Sequence, residues 1–180
     1  MQSEMQTLKV ISLYISKTPG LPTVSTAEIQ LRPNYGIIGD THTGEMRTRS
    51  NGEVVPNLRH FTAVSPQELG EVAEELGVPY LDPSLLSANI CFAGVKKLTE
   101  TLVPGTLLFN AEGRAVLEVK GVVEPCFSMG QRIAAHYPQL AVEAQLFPKY
   151  ANGRRGIHGI ALEETTIKLY DTFSVVLPSR

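Results

Sequence analysis

The clearest strand signal in the chain is Ala115-Val116-Leu117-Glu118-Val119-Lys120. Residues 115, 117 and 119 share one face while Glu118 and Lys120 share the other, and this period of two is typical of a half-buried strand. The stretch runs on to Pro125-Cys126, and proline cannot donate to a sheet ladder, so pairing is expected to stop there. Cys126 is therefore expected just past a strand end, where a thiol can face a cleft. A free cysteine also packs as a small hydrophobe, so position alone leaves a structural role open.

Short strands of this kind, separated by turn signals, make up most of the chain. Residues 110–114 contain a glycine and predict a hairpin loop between two of them. The strands do not alternate with helices, and no Gly-x-Gly-x-x-Gly follows a strand, which argues against a dinucleotide-binding fold. The pattern instead favours a sandwich or a barrel. The predicted strands are 8–15, 26–31, 61–64, 89–93, 106–109, 115–123, 159–162, 166–169 and 172–177.

Helices are few. Ser65-Pro66-Gln67-Glu68 predicts a helix start, with Ser65 as the cap and Glu68 reaching back to close a capping box. An apolar stripe follows, and Gly77 is expected to end the helix. Two further helices are predicted at 128–136 and 138–147.

Composition limits the classes of function. The 180 residues fit one domain with a core at about 8–177, and 16 basic against 18 acidic residues give a net charge of −2 without a basic stripe. Nucleic acid is therefore not an expected partner. The two cysteines do not form a disulfide framework, and Cys91 lies in a strand pattern that indicates the core. The polar first residues lack signal-peptide features and no apolar run reaches membrane length, so a cytoplasmic protein without membrane contact is expected.

Two polar stretches could carry chemistry. In Gly36-Ile37-Ile38-Gly39-Asp40-Thr41-His42-Thr43-Gly44, the Asp40 and His42 side chains could pair to fix an imidazole tautomer, or Asp40 could cap a turn. The following residues, 43–59, predict a long loop, and such loops in compact domains are often functional or mobile.

Arginine presents a planar fork that suits phosphate or carboxylate. Arg47, Arg49 and Arg154 fit a solvated loop better, whereas Arg59 and Arg155 each abut an apolar strand. The four histidines show no zinc-ligand spacing, and there is no Gly-x-Ser-x-Gly nucleophile elbow.

Taken in order along the chain, these pieces resemble the MOSC domain, the module named after the C-terminal part of molybdenum cofactor sulfurases. The resemblance spans about residues 8–177, and its specificity lies in the order of the motifs. The matching stretches are Gly36 to Gly44, Arg59-His60-Phe61-Thr62-Ala63-Val64-Ser65, Ser87-Ala88-Asn89-Ile90, Pro104-Gly105-Thr106-Leu107-Leu108, Ala115 to Val119 with Pro125-Cys126, and Arg155-Gly156-Ile157.

The resemblance implies a mainly β fold, a β-barrel partly covered by two or three helices, with a cleft for a molybdopterin-type cofactor. Cys126 would be the molybdenum ligand or would carry sulfur as a persulfide. Arg59 and Arg155 would face the cofactor's phosphate or oxo groups, and Asn89 would orient the pterin or a metal-bound oxygen. Asp40 and His42 would shape the cleft wall.

Three functions remain open from the sequence. The first is a molybdenum-cofactor protein that reduces N-hydroxylated or N-oxide compounds with electrons from a separate redox partner. The second is a sulfur-carrier or cofactor-delivery module. The third is a barrel that has lost the cofactor and serves as a binding module. Two departures from the family pattern favour the third: Ala88 replaces a carboxylate, and Glu124 is expected to raise the pKa of the neighbouring thiol.

The chain lacks the aminotransferase-like domain of the sulfurases and is expected to be a standalone module, as a monomer or homodimer. No lysine for pyridoxal phosphate can be assigned, although that annotation accompanies the family.

Overall fold

The computed structural model describes residues 5–179 and is built mainly of strands. The strands are Thr7–Ile15 (β1), Val24–Thr26 (β2), Glu28–Arg32 (β3), Gly36–Ile37 (β4), Met46–Thr48 (β5), Val54–Pro56 (β6), Phe61–Val64 (β7), Ile90–Ala93 (β8), Leu107–Phe109 (β9), Ala115–Val122 (β10), Ile157–Ala161 (β11), Thr165–Lys168 (β12) and Thr172–Val176 (β13). The helices are Pro66–Leu76 (α1), Leu98–Thr101 (α2), Phe127–His136 (α3) and Leu146–Tyr150 (α4), with 3₁₀ turns at Pro83–Leu86 and Pro138–Leu140.

Seven strands close into a barrel in the order β13-β9-β10-β11-β7-β8-β1, and pairing between β1 and β13 completes the ring. Neighbouring strands are antiparallel except β7 and β8, which are parallel. Closure leaves no free edges among these strands. The predicted β-barrel is confirmed, and β2, the β3–β4–β12 sheet and the β5–β6 hairpin are attached to it.

The core has two parts. Buried residues of the barrel strands, of the β3–β4–β12 sheet and of α2 form the larger cluster, in which the rings of Phe92 and Phe173 meet edge to face at 5.8 Å. The smaller cluster packs α1, α3 and α4 against the barrel and includes Cys91, which is 2% exposed. Burial raises the pKa of the Cys91 thiol to about 11, as expected of a core cysteine.

Helix α1 begins and ends as predicted, but the role predicted for Glu68 is wrong. The Ser65 hydroxyl accepts a bond from the Glu68 backbone N–H, and Gly77 ends the helix with φ of +73°. The Glu68 carboxylate does not close a capping box. It accepts bonds from the Thr99 backbone N–H at 3.0 Å and the Thr99 hydroxyl at 2.7 Å. A buried carboxylate needs hydrogen-bond partners, and here a residue distant in sequence supplies them in place of the capping box.

The predicted helix at 138–147 is also wrong. The chain makes a 3₁₀ turn, passes through Ala141 at φ of +49°, and forms helix only from Leu146. The intervening backbone packs against Gly130 of α3 so closely that a Cβ there would lie 2.0 Å from the Ala144 carbonyl oxygen. Packing of this segment onto α3 therefore overrides its helical sequence pattern.

Two other departures lie before the barrel wall β7. The predicted strand 26–31 is divided at Ala27, since β2 pairs with β1 whereas β3 pairs with β12. The loop predicted at 43–59 contains the β5–β6 hairpin, whose tip carries an ion pair of 2.7 Å between Arg49 and Glu53. Across residues 5–179, no helix has the length and apolar character that a bilayer crossing requires.

Candidate functional site

A polar cleft of about 390 Å³ opens beside the C-terminal end of β10 and the N-terminus of α3. Five of the six predicted site residues line it, and Asp40 lies behind its wall. The lining also includes an arginine that the sequence did not single out, Arg132. The five predicted residues in the lining are His42, Arg59, Asn89, Cys126 and Arg155.

Cys126 presents an exposed thiol at the first turn of α3. It is the N-cap residue, with extended backbone, and its Sγ lies 3.1 Å from the Ser128 hydroxyl oxygen. Partial burial alone would raise the pKa of the thiol. Hydrogen bonds from Ser128 and the Met129 backbone, with the charge of Arg155, outweigh burial and hold the pKa below its usual value. The raising effect expected of Glu124 stays a prediction, since the net shift is downward and increases the thiolate fraction relative to an ordinary cysteine.

Arg155 is the most deeply buried charge in the cleft, at 3% exposure. Its Nη2 donates to the Leu86 carbonyl oxygen, whereas its Nε and Nη1 are buried without any partner. Burial, together with the nearby charge of Arg59, lowers its pKa to about 10. Buried arginine donors are normally paired, and these two lack the acceptor that an anion would supply.

The residue after Arg155 holds it in place. Gly156 has φ of +99°, and a Cβ there would lie 2.1 Å from the Ala63 carbonyl oxygen of β7. Its backbone N–H donates to the Thr99 hydroxyl at 2.9 Å, the same hydroxyl that donates to Glu68. The Arg155-Gly156 pair in the sequence thus marks a close backbone approach that only glycine permits.

Arg59 and Arg132 add two further positive charges. Arg59 is partly buried, and burial together with the charge of Arg47 lowers its pKa. Arg132 projects from α3 and donates to the Leu85 and Gly20 carbonyl oxygens and to the Ser87 hydroxyl. An arginine on an amphipathic helix usually faces solvent, so no local pattern could have identified Arg132 as a cleft residue.

Asp40, His42 and Asn89 form one hydrogen-bonded network. The Asp40 carboxylate accepts bonds from the Ser16 backbone N–H at 2.7 Å, the Asn89 side-chain amide at 3.0 Å and the His42 backbone N–H at 2.8 Å, and lies 3.1 Å from His42 Nδ1. Burial would raise the Asp40 pKa, but the bonds from His42 and Ser16 outweigh it and hold the pKa below its usual value. The Asp40–His42 pair weighed from the sequence is thus present in the structure, and Asp40 also makes the local turn contact.

The Asn89 side chain is fully used by the protein. Its Nδ2 donates to Asp40 and to the Tyr14 carbonyl oxygen at 3.3 Å, and its Oδ1 accepts from the Thr62 backbone N–H at 3.0 Å and the Thr62 hydroxyl at 3.3 Å. An amide has two donors and two acceptor positions, and all four are occupied. Asn89 therefore braces the cleft wall, and its role as a cofactor contact stays a prediction.

The departures at Ala88 and Glu124 differ in position. Ala88 is fully buried in the smaller core cluster and lies outside the cleft lining. Glu124 is exposed and lines the cleft. The replacement of a carboxylate by Ala88 therefore does not change the residues that line the cleft.

The donor set fits an anionic cofactor that brings ligands of its own. Among residues 5–179, no three His, Cys, Asp or Glu side chains gather into a metal-binding group, so a metal held at Cys126 would need ligands from the cofactor as well. A soft thiolate suits a thiophilic metal. The unpaired Nε and Nη1 of Arg155, with Arg59 beside them, supply the donors that a phosphate needs.

Comparisons with known proteins agree on one family. The family model described as "MOSC domain" matches residues 46–174. A Bacillus subtilis (strain 168) protein with the name "Putative metal-sulfur cluster biosynthesis proteins YuaD" is 33% identical over 159 residues, which cover 84% of this chain and 81% of that protein. The crystal structure of the Bacillus subtilis YuaD protein superposes with a TM-score of 0.90 at 29% identity, covering 98% of this chain and 99% of that one.

More distant structures share the fold. YiiM from Geobacillus stearothermophilus superposes with a TM-score of 0.64 at 16% identity, covering 94% of this chain and 75% of its own. YiiM from Escherichia coli gives 0.61 at 13% identity, covering 95% and 71%.

Proposed function

This chain belongs to the MOSC domain family, and from that premise we propose that it binds a molybdenum cofactor in the cleft beside Cys126. One observation carries the proposal: a buried guanidinium with two unpaired donors, Arg155, lies close enough to an exposed cysteine to lower its pKa. A cofactor with a phosphate and a thiophilic metal answers both features at once.

Each cleft residue has a distinct part in this proposal. The Cys126 thiolate would ligate the metal and Arg155 would hold the phosphate, with Arg59 adding positive charge beside it. Arg132 fixes the wall formed by the 3₁₀ turn Pro83–Leu86, because it donates to the Leu85 carbonyl oxygen and the Ser87 hydroxyl. Asp40 orients His42, whose side chain is 59% exposed and can exchange a proton with a bound molecule. The cofactor, when bound, supplies two-electron redox chemistry.

The reaction class we propose is reduction of N-hydroxylated compounds. An N-hydroxylated amine takes two electrons and two protons, its N–O bond breaks, and the products are the amine and water. A separate redox protein supplies the electrons. His42 is the group in the cleft best placed to pass protons, because its Nδ1 is oriented by Asp40 and the opposite ring edge is left free of protein hydrogen bonds among residues 5–179.

A second candidate is a sulfur carrier. In that function, Cys126 takes the outer sulfur of a persulfide donor: a new S–S bond forms on Cys126, the donor's S–S bond breaks, and the donor leaves as a thiol. The exposed, thiolate-favouring Cys126 supports this chemistry. The name of the Bacillus subtilis relative, which refers to metal-sulfur cluster biosynthesis, points the same way.

The test is elemental mass spectrometry for molybdenum on protein purified from cells that make the cofactor. We expect near-stoichiometric metal in the wild type, none in Cys126→Ser, and wild-type content in the matched control Cys91→Ala. Metal retained in Cys126→Ser would contradict the ligand assignment. Metal-free wild type with cyanide-labile sulfur on Cys126 would favour the sulfur carrier, and absence of both would favour a binding module without cofactor.

A further inference from the structure

A second cavity adjoins the cleft on the side of the β5–β6 hairpin. It measures about 250 Å³ and shares His42 and Arg59 with the cleft, so the two cavities have a common wall. Arg47 and Met46 of β5 form its opposite side, and it is called the hairpin pocket below. A molecule that reaches from one cavity to the other would pass directly over Arg59.

The hairpin pocket contains two arginines that lack partners. Among residues 5–179, every arginine except Arg47 and Arg59 uses its side chain in a hydrogen bond or an ion pair. The paired ones are Arg32, Arg49, Arg114, Arg132, Arg154 and Arg155. The two exceptions are the two that line this pocket. Their guanidinium groups are therefore available to a ligand.

The charges around the pocket leave the pair without a counter-ion. The Arg59 pKa is lowered by burial and by Arg47, and the one nearby group that acts in the other direction is Cys126. Burial lowers the His158 pKa, a backbone contact to Leu58 acts in the opposite direction, and the charges of Arg59 and Arg47 add to the lowering. The closest buried carboxylate, Asp40, already accepts bonds from Ser16, Asn89 and His42.

Hydrogen bonds of Asn57 hold the backbone segments that carry Arg47 and Arg59 next to each other. The Asn57 side chain donates to the Gly44 carbonyl oxygen at 2.9 Å, and its backbone N–H donates to that of Glu45 at 2.7 Å, which anchors both ends of the hairpin. The Asn57 side-chain oxygen in turn accepts from the Arg59 backbone N–H at 3.0 Å. One side chain therefore ties the strand that carries Arg47 to the residue before the barrel wall.

We propose that the hairpin pocket binds the anionic group, a carboxylate or a phosphate, of the small molecule that reacts in the cleft. Two guanidinium groups facing one cavity form a fork for an oxyanion. The inference rests on the proposed function in one respect, that a small molecule reacts beside Cys126. It adds the substrate class: acidic compounds, held at Arg47 and Arg59 with the reactive end toward Cys126.

The test uses the thiol of Cys126 as reporter in the cofactor-free protein, where Cys91 is buried and Cys126 exposed. Two disulfide reagents are compared, the anionic 5,5′-dithiobis(2-nitrobenzoate) and the neutral 4,4′-dithiodipyridine. With either reagent, the thiolate forms a mixed disulfide, the reagent's S–S bond breaks, and one half leaves as its thiolate or thione. The measured quantity is the rate with the anionic reagent divided by the rate with the neutral reagent. This ratio cancels any change in the reactivity of Cys126 itself.

We expect Arg47→Gln to lower this ratio by about fivefold, the size expected for one pair of charges about 5 Å apart in bulk water. Arg49→Gln is the matched control on the same strand's extension, since Arg49 is exposed and pairs with Glu53 at 2.7 Å. The control should stay within about twofold of wild type. An unchanged ratio in Arg47→Gln, or an equal fall in Arg49→Gln, overturns the proposal.

Benzoate and phenyl phosphate are then added separately as competitors. Protection of the wild type that is weakened in Arg47→Gln supports the pocket, and the stronger competitor identifies carboxylate or phosphate. No protection by either overturns the proposal. Because these readouts use cofactor-free protein, they are independent of the molybdenum content that tests the proposed function.

Discussion

Removing the charge of Arg155 is expected to stabilise the ligand-free protein, although the residue is part of the site. A fall in its pKa from 12.5 to about 10 corresponds to about 3 kcal/mol of destabilisation, at about 1.4 kcal/mol per unit. Methionine fills a similar volume without charge. Against this gain, the Leu86 carbonyl loses its partner, which costs about 1 to 2 kcal/mol. Arg155→Met should therefore raise the free energy of unfolding by about 1 to 2 kcal/mol.

The assay is urea unfolding followed by far-ultraviolet circular dichroism in phosphate-free buffer. A chain of 180 residues should gain about 2 to 4 °C in Tm for each kcal/mol, which calorimetry can check. Arg132→Met is the matched control. Its guanidinium already has three protein acceptors, so the same substitution should destabilise. Phosphate should then stabilise the wild type by mass action and leave Arg155→Met unchanged.

Two results would refute this reasoning. The first is an Arg155→Met protein that unfolds at lower urea concentration than the wild type, since that would mean that the buried guanidinium is net stabilising as it stands. The second is equal stabilisation of both proteins by phosphate, which would place anion binding away from Arg155.

Three further outcomes are expected. Ser128→Ala should raise the pKa of Cys126, so that the pH profile of iodoacetamide alkylation moves to higher pH. An unchanged profile would show that the Ser128 hydrogen bond does not lower this pKa. Gly130→Ala should lower the free energy of unfolding by about 2 kcal/mol, because its Cβ would meet a backbone carbonyl at 2.0 Å. Gly70→Ala, whose Cβ would have nothing within 4 Å, should raise the free energy of unfolding by up to about 1 kcal/mol. Equal effects of the two substitutions in urea unfolding would contradict this. Burial raises the pKa of Glu68, so the stability that this residue contributes is greatest below pH 4.5 and falls as the pH rises through the folded-state pKa. In unfolding measured across this pH range, Glu68→Gln should lack the fall. Curves of stability against pH that run parallel in the variant and the wild type would contradict this.

Local alternation and short apolar runs predicted the barrel strands: β13 buries every second residue, whereas β7 is buried at every residue. The strand at Phe61–Val64 was predicted with its observed bounds, and β10 to within one residue. What local patterns could not supply were contacts made at a distance. The partner of Glu68 lies 31 residues away at Thr99, and a capping box is a motif read over four residues.

The sequence predicted which residues belong to the candidate site better than it predicted what each residue does there. Cys126 and Arg155 were singled out by their places beside strand ends, and the fold brings them to one cleft. Arg132 was missed because a charged residue on an amphipathic helix has the same pattern whether it meets solvent or a cleft. The bracing role of Asn89 depends on hydrogen-bond partners from three separate segments, two acceptors and one donor, which no spacing along the chain reveals.

The charge balance of the cleft favours the cofactor over the sulfur carrier. Arg59, Arg132 and Arg155 line the cleft together with Cys126, and Glu124 is the one carboxylate residue in that lining. A persulfide adds no charge beyond that of the thiolate it replaces, so it would leave the Nε and Nη1 donors of Arg155 as unpaired as they are now. A phosphate brings up to two negative charges and several acceptor oxygens, which can satisfy those donors. The depth of Arg155 therefore argues for a ligand that carries its own anion into the cleft, with Cys126 as one contact among several.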